Sequence, residues 1–80
     1  MELRTDKEKR FDAIYRLYAD DIYKVCFYFT KDKKVAQEVA QRTFIEFYKC
    51  FSNVEADYVR TLLIRIAKDI IFSMEEKEGL

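Results

Sequence analysis

The near absence of glycine and proline is the sequence feature that most constrains the fold. The chain has no proline, and its single glycine, Gly79, is the second-last of 80 residues. A small all-β protein would need several such residues at its turns, so that class is disfavoured. Half of the residues are hydrophobic and 16% are aromatic, enough for one small core. We therefore predict a single all-α domain over residues 1–80, with the acidic end, 75–80, as a frayed tail or the start of a linker.

Three segments repeat apolar residues at the three- and four-residue spacing of an amphipathic helix. They are separated by the polar stretches "TKDKK" and "SNVEAD". Because the first break is short, we predict a compact three-helix bundle whose first two helices form an antiparallel hairpin. Side chains suited to N-capping precede each segment: Thr5, in a capping box with Glu8; Thr30 or Asp32; and Asn53 or Asp57.

Charge and residue usage exclude several function classes. The 15 basic and 15 acidic residues cancel, whereas proteins that bind nucleic acid through phosphates alone usually carry a positive excess. The chain has no histidine, which excludes histidine-based metal sites and histidine general bases. We predict a protein that is not an enzyme, needs no cofactor or metal, does not enter a membrane and is cytoplasmic.

The two cysteines show no metal-like spacing. In the predicted hairpin, Cys26 and Cys50 are offset along the helix axis by roughly 20 Å or more, too far for a disulfide. We expect two free thiols that serve as small core residues.

Three motifs in order resemble a known family. "LYADDIY", "AQEVAQRTF" and "RTLLIRIAK" resemble the second conserved domain of bacterial RNA polymerase sigma factors, of the extracytoplasmic-function type. The resemblance covers about residues 11–72, most of the chain. The matching positions are Leu17, Tyr18, Ile22, Tyr23, Ala36, Glu38, Val39, Gln41, Phe44, Arg60, Thr61, Leu63, Arg65, Ile66, Ala67 and Lys68.

The resemblance implies two binding surfaces. In that family the second helix docks on the clamp helices of the polymerase β′ subunit, and the next loop and third helix face the promoter −10 element, where unpaired non-template bases are captured. The implied polymerase-docking residues are Gln37, Glu38, Gln41, Arg42 and Phe44. The implied DNA-binding residues are Asn53, Arg60, Thr61, Arg65 and Lys68.

Departures from the family pattern keep a second function open. Arg42 replaces the usual acid, Glu55 and Asp57 make the loop acidic, and Glu75 and Glu76 replace a basic pair. An acidic loop is a poor surface for a phosphate-bearing strand. The alternative is a helical protein-interaction domain that keeps the sigma scaffold, binds an anti-sigma protein or a second copy of itself, and no longer reads DNA.

The implied site residues also have ordinary structural explanations. Glu38 and Arg42 are spaced for an intrahelical ion pair, and Phe44 can belong to the core as readily as to an exposed edge. The chain has more apolar side chains than one buried stripe per helix requires. The additional ones either widen the core or form a patch for a partner: Tyr15, Tyr23, Phe27, Tyr28, Ile45 and Tyr48.

Overall fold

Three helices make up the fold. The computed structural model describes residues 4–51 and 54–78, with side chains described as far as residue 75. The helices are α1 (Asp6–Thr30), α2 (Lys33–Cys50) and α3 (Ala56–Glu78). All regular secondary structure in these ranges is helical, which confirms the predicted all-α class.

The contacts between helices define an up-down-up bundle. Near the start of α1, the Phe11 ring lies 5.0 Å from the Tyr48 ring, and one turn later the Tyr15 ring lies 4.9 Å from the Phe44 ring. Advancing along α1 thus means moving back along α2, so the two helices form the predicted antiparallel hairpin. The chain then returns in α3, which runs parallel to α1 and closes the bundle.

The helix ends follow local capping chemistry. The Thr5 hydroxyl accepts from the Glu8 N–H at 3.1 Å, and the Glu8 carboxylate accepts from the Thr5 N–H at 3.2 Å, which confirms the capping box. The Asp32 carboxylate accepts from the N–H groups of Lys34 and Val35 at 2.9 and 3.0 Å. Asp32 is therefore the N-cap of α2, as one of the two predicted candidates.

The start of α3 differs from one prediction. The helix begins at Ala56, so Asp57 lies inside the first turn and is not the N-cap. An acidic side chain there still interacts favourably with the helix dipole. The other predicted cap, Asn53, lies outside the described residues. At its other end α3 continues to Glu78, which carries the helix into the segment predicted as a tail.

The core is formed where the three apolar stripes meet. The rings of Phe47 and Phe51 stack with centres 4.7 Å apart, and the Phe11 ring of α1 packs against both. Each buried aromatic ring of this kind contributes a large apolar area to folding. The buried apolar residues are Ile22, Cys26, Ala36, Val39, Phe44, Phe47, Phe51, Val59, Leu63, Ala67, Ile70 and Ile71.

The cysteines confirm one expectation and correct another. Both thiols are free, Cys26 is buried, and Cys50 is exposed. The prediction that Cys50 is a core residue is therefore wrong. Cys50 is the last residue of α2, and the next residue, Phe51, takes the core position there.

Candidate functional site

The two glutamines of α2 lie on one wall of a groove. Gln37 and Gln41 are one turn apart and both exposed. The groove lies between α1 and α2 and has a volume of about 220 Å³. From α1 it is lined by Tyr15, Ala19, Asp20 and Tyr23, and from α2 by Gln37, Ala40, Gln41 and Phe44. The amide groups therefore stand beside aromatic side chains, a mixture suited to contacts with another protein.

Phe44 takes the core position, which is one of the two placements that the sequence left open. It is only 3% exposed, because the Tyr15 and Phe11 rings pack against it at 4.9 and 6.3 Å, both edge-on. α1 covers this flank of α2. Phe44 therefore belongs to the core and to the floor of the groove, and it is not an exposed member of the candidate docking residues on α2.

Ile45 is an exposed apolar residue next to the candidate docking residues. It is 55% exposed, and it follows Glu38 by seven positions and Gln41 by four, a spacing that puts all three on one side of the helix. Sequence reasoning listed Ile45 only among the apolar residues that either widen the core or form a patch for a partner, and left it out of the candidate docking set, although its spacing from Gln41 was visible in the sequence. The missing information was that its neighbour Phe44 turns inward.

Arg42 lies towards a different groove from the glutamines. It lines a space of about 420 Å³ between α2 and α3, together with Glu46, Asp69 and Ile66. Among the ion pairs found in the described residues, none joins Glu38 to Arg42, so the intrahelical pair that their spacing allows is not formed. The predicted docking set is therefore divided: Gln37 and Gln41 line one groove, and Arg42 lines the other.

The predicted DNA-binding residues of α3 are all exposed, with one of them already paired. The Arg60 guanidinium forms a two-point hydrogen-bonded ion pair with the Asp21 carboxylate of α1, whose longer contact is 3.4 Å. The hydrogen bond from Arg60 holds the pKa of the Asp21 carboxyl below its ordinary value of 3.8. The same bond raises the pKa of Arg60, so both groups stay charged at neutral pH.

The remaining α3 positions are Thr61, Arg65 and Lys68, all exposed. The Lys68 ammonium lies 5.8 Å from the centre of the Phe29 ring of α1. Asn53, predicted to contact DNA from the loop, lies outside the described residues. The structure thus places Asp21 and Phe29 of α1 beside the α3 residues predicted to bind DNA, a proximity that sequence reasoning did not predict.

Comparison with known proteins finds a relative that is similar to most of this chain at low sequence identity. The ECF RNA polymerase sigma factor SigM of Bacillus subtilis (strain 168) is 29% identical over 66 residues, which is 82% of this chain and 40% of that protein. The alignment supports a sigma-factor relationship. The chain spans well under two thirds of the length of that relative.

Two further comparisons gave no match. No protein-family model matches the chain, and no solved structure matches it. Within the described part of the chain, no helix is both long enough and apolar enough to span a bilayer.

Proposed function

We propose that this chain is a transcription-initiation module of the sigma type, which acts by binding rather than by catalysis. The observation that carries the proposal is the similarity to a sigma factor over 82% of the chain, which suggests a sigma-like role in transcription. Its partner would be core RNA polymerase, bound through the clamp helices of the β′ subunit. α3 and the preceding loop would contact the promoter −10 element.

The polymerase-docking surface in this proposal is the exposed side of α2. Gln37, Glu38 and Gln41 offer hydrogen-bonding groups, and Ile45 adds an exposed apolar side chain. A helix that presents such residues at three- and four-residue spacing is suited to packing against another helix. Arg42 would lie at the rim of this contact, and Phe44 would hold α2 in place from the core.

The promoter surface in this proposal is the exposed side of α3. Arg60, Thr61, Arg65 and Lys68 are the residues we assign to it, with Asn53 from the loop. Arg65 and Lys68 carry the positive charge that a phosphate backbone requires, since the charge of Arg60 is offset by Asp21.

A direct test is binding of the chain to core RNA polymerase from its own host, with substitutions at the docking surface. We expect binding of the wild type with a Kd of about 1 μM or tighter. Gln41→Ala and Ile45→Ala should each weaken it by about fivefold or more. Phe72→Ala is the matched control, because Phe72 is an equally exposed apolar residue on α3. Phe44→Ala is unsuitable, because truncating a buried ring disrupts the fold.

Two outcomes would contradict the proposal. One is no binding of the wild type to core polymerase, and the other is binding that Gln41→Ala and Ile45→Ala leave unchanged. The second outcome would leave the exposed side of α2 as ordinary solvated surface.

The interaction-domain alternative is supported by two separate observations. Asp21 offsets the charge of Arg60, and several large apolar side chains remain exposed across the bundle, including Leu17 and Tyr28. Both features suit a protein partner at least as well as DNA. Sedimentation of the chain alone and with host anti-sigma proteins distinguishes the two functions. A stable complex or dimer without polymerase binding would favour the alternative.

A further inference from the structure

One side of α1 carries the two most exposed large hydrophobic side chains described. Leu17 is 72% and Tyr28 is 67% exposed. Asp21 and Lys24 lie between them, and the four residues follow one another at intervals of four, three and four positions. Residues at these intervals share one side of a helix, and we call these four the α1 stripe.

The spacing of the α1 stripe is that of a seam between two helices. Intervals of four and three residues alternate at the contact positions of a coiled coil, where each residue meets the partner helix. α1 already packs against α2 and α3 through its other side, where Ile22 and Cys26 are buried. The two apolar ends of the stripe, about 16 Å apart along the helix axis, are therefore available to a further helix.

The order of side chains in the α1 stripe is self-complementary. Read from either end, an apolar side chain is followed by two opposite charges and then by a second apolar side chain, at the same intervals. In a twofold dimer, residue i of one copy contacts residue j of the other, and j contacts i. If two stripes meet in the antiparallel direction, Leu17 packs against the second copy's Tyr28, and Asp21 faces the second copy's Lys24. Each of these contacts occurs twice.

Charge favours a second copy of this chain, in the antiparallel direction. A parallel pair would bring Asp21 against Asp21 and Lys24 against Lys24, and such like-charge contacts oppose association. Asp21 already binds Arg60 of its own chain, but an ionised carboxylate has acceptor positions for a further donor. The whole chain has 15 basic and 15 acidic residues, so no net charge keeps two copies apart.

A depression beside Leu17 offers space for the aromatic ring of a second copy. Its volume is about 490 Å³. It is lined by Lys9, Asp12, Ala13, Arg16 and Leu17. In the antiparallel arrangement the second copy's Tyr28 lies opposite Leu17, so its ring would enter this space. The Arg16 side chain, which pairs with Asp12 at 3.3 Å, lies beside the space, and arginine stacks favourably on aromatic rings.

The size of the α1 stripe sets the expected affinity. From Leu17 to Tyr28 it covers about 18 Å of helix, too short to reach the roughly 1,200–2,000 Å² that a stable interface buries. The Phe29 ring packs edge-on against the Tyr28 ring, with centres 5.3 Å apart, so the Tyr28 ring has less freedom to lose on binding. We expect a reversible dimer with a Kd on the order of 10–100 μM.

We propose that the α1 stripe is a homodimer interface, in which two antiparallel copies of α1 pair Leu17 with Tyr28 and Asp21 with Lys24. The twofold axis passes midway between Asp21 and Lys24. The inference goes beyond the proposed function and does not depend on it, because the proposed polymerase-docking residues lie on α2. It also gives a defined surface to self-association.

Sedimentation equilibrium of the full chain, from about 1 to 500 μM to span the expected Kd, tests the apolar contacts. A reducing buffer is needed because Cys50 is exposed. Leu17→Ala and Tyr28→Ala should each raise the dimer Kd by about tenfold or more, since each substitution removes a contact that occurs twice. Phe72→Ala is the matched control, because Phe72 is an exposed apolar residue of α3. All three variants should keep the melting temperature of the wild-type monomer.

The charged contacts are tested in the same assay. Lys24→Glu should raise the dimer Kd by about tenfold, because it places a second acid opposite Asp21 of the other copy. Lys49→Glu is the matched charge control. Lys49 is an exposed residue of α2, paired with Glu46 at 3.5 Å, and its substitution should leave the dimer Kd unchanged.

Disulfide formation between copies tests the direction of the helices. Leu17→Cys and Tyr28→Cys are each made in a Cys50→Ser background, mixed in equal amounts and oxidised. The antiparallel arrangement predicts a mixed disulfide between the two variants, because it brings position 17 of one copy to position 28 of the other. Mass spectrometry distinguishes this product from a disulfide between two copies of one variant.

Three results would each overturn the inference. They are a chain that is monomeric at every concentration, a dimer Kd that Leu17→Ala and Tyr28→Ala leave unchanged, and a disulfide formed mainly between two copies of Leu17→Cys. Failure of the proposed function looks different, because Ile45→Ala should weaken polymerase binding and leave the dimer unchanged. A monomeric chain that binds polymerase overturns the inference alone, and a dimer that does not bind polymerase overturns the proposed function alone.

Discussion

At the residue scale, the two cysteines show how position within one fold gives the same side chain two different reactivities. Cys26 is fully buried in the core, and loss of hydration for the thiolate raises its pKa to about 11. Cys50 ends α2 and is exposed, and its Sγ lies 3.7 Å from the Phe47 carbonyl oxygen. The thiolate is the reactive form, so burial should protect Cys26 in two ways: by exclusion of the reagent and by suppression of ionisation.

This difference predicts selective alkylation. In the native protein at about pH 8, near the ordinary thiol pKa, iodoacetamide should modify Cys50 and leave Cys26 unmodified over the same time. In denaturant both should react. Mass spectrometry of the intact chain counts the adducts, and Cys50→Ser is the control that should give no native adduct. Rapid double modification of the native protein would contradict the packing described for Cys26.

At the scale of elements, two residues that directly precede α2 determine where this helix begins. Lys31, just before it, has a left-handed backbone with φ of 58°, which reverses the chain at the end of α1. Asp32 then satisfies two N–H groups of the first turn of α2. Because the link is this short, the hairpin of α1 and α2 depends strongly on these two residues.

The cap of α2 gives a prediction about stability. Asp32→Ala should lower the free energy of unfolding by about 1 kcal/mol, because two N–H groups lose their acceptor. Asp32→Asn should cost much less, since its side-chain oxygen can accept the same bonds. Urea unfolding followed by circular dichroism measures both. Equal losses in the two variants would indicate that the charge, and not the hydrogen bonds, stabilises this end of the helix.

At the scale of the whole molecule, α1 and α3 run in parallel and meet through polar as well as apolar contacts. Arg10 of α1 donates to the Val54 carbonyl at 2.7 Å, near the start of α3. Asp21 and Arg60 pair further along, and Phe29 and Lys68 meet beyond them. This register makes a face from two helices that are far apart in sequence, and the proposed DNA contacts lie on it.

The ion pair between α1 and α3 predicts a dependence of stability on pH. Because the folded-state pKa of Asp21 is lowered, its stabilising effect is fully present above the unfolded-state value of 3.8 and is lost as the pH falls through the lower folded-state value. Asp21→Asn should therefore lower the melting temperature at neutral pH. The difference from the wild type should shrink as the solution is acidified below the unfolded-state value. A difference that stays constant with pH would show that the carboxylate charge makes no contribution.

Predictions from the sequence were correct for those features of the fold that residues close together in the chain determine. The apolar spacing, the Thr5 capping box and the Asp32 cap are set by residues a few positions apart, and their backbone geometry follows from those residues alone. The short link between α1 and α2 was enough to predict the hairpin. The candidate docking positions Gln37, Glu38 and Gln41 were also exposed, as an outward stripe requires.

The sequence by itself determined the class, the three helices and most of their boundaries. Tertiary structure alone decided which residues at the edges of each apolar stripe are covered. Periodicity defines the centre of a stripe, but its edges are buried only where a neighbouring helix packs against them. α1 covers Phe44 and leaves Ile45 exposed, and the parallel register of α1 and α3 joins Asp21 to Arg60 and brings Lys68 to Phe29. Asp21 and Arg60, for example, are 39 positions apart in the sequence. No local sequence pattern can predict a contact over such a separation.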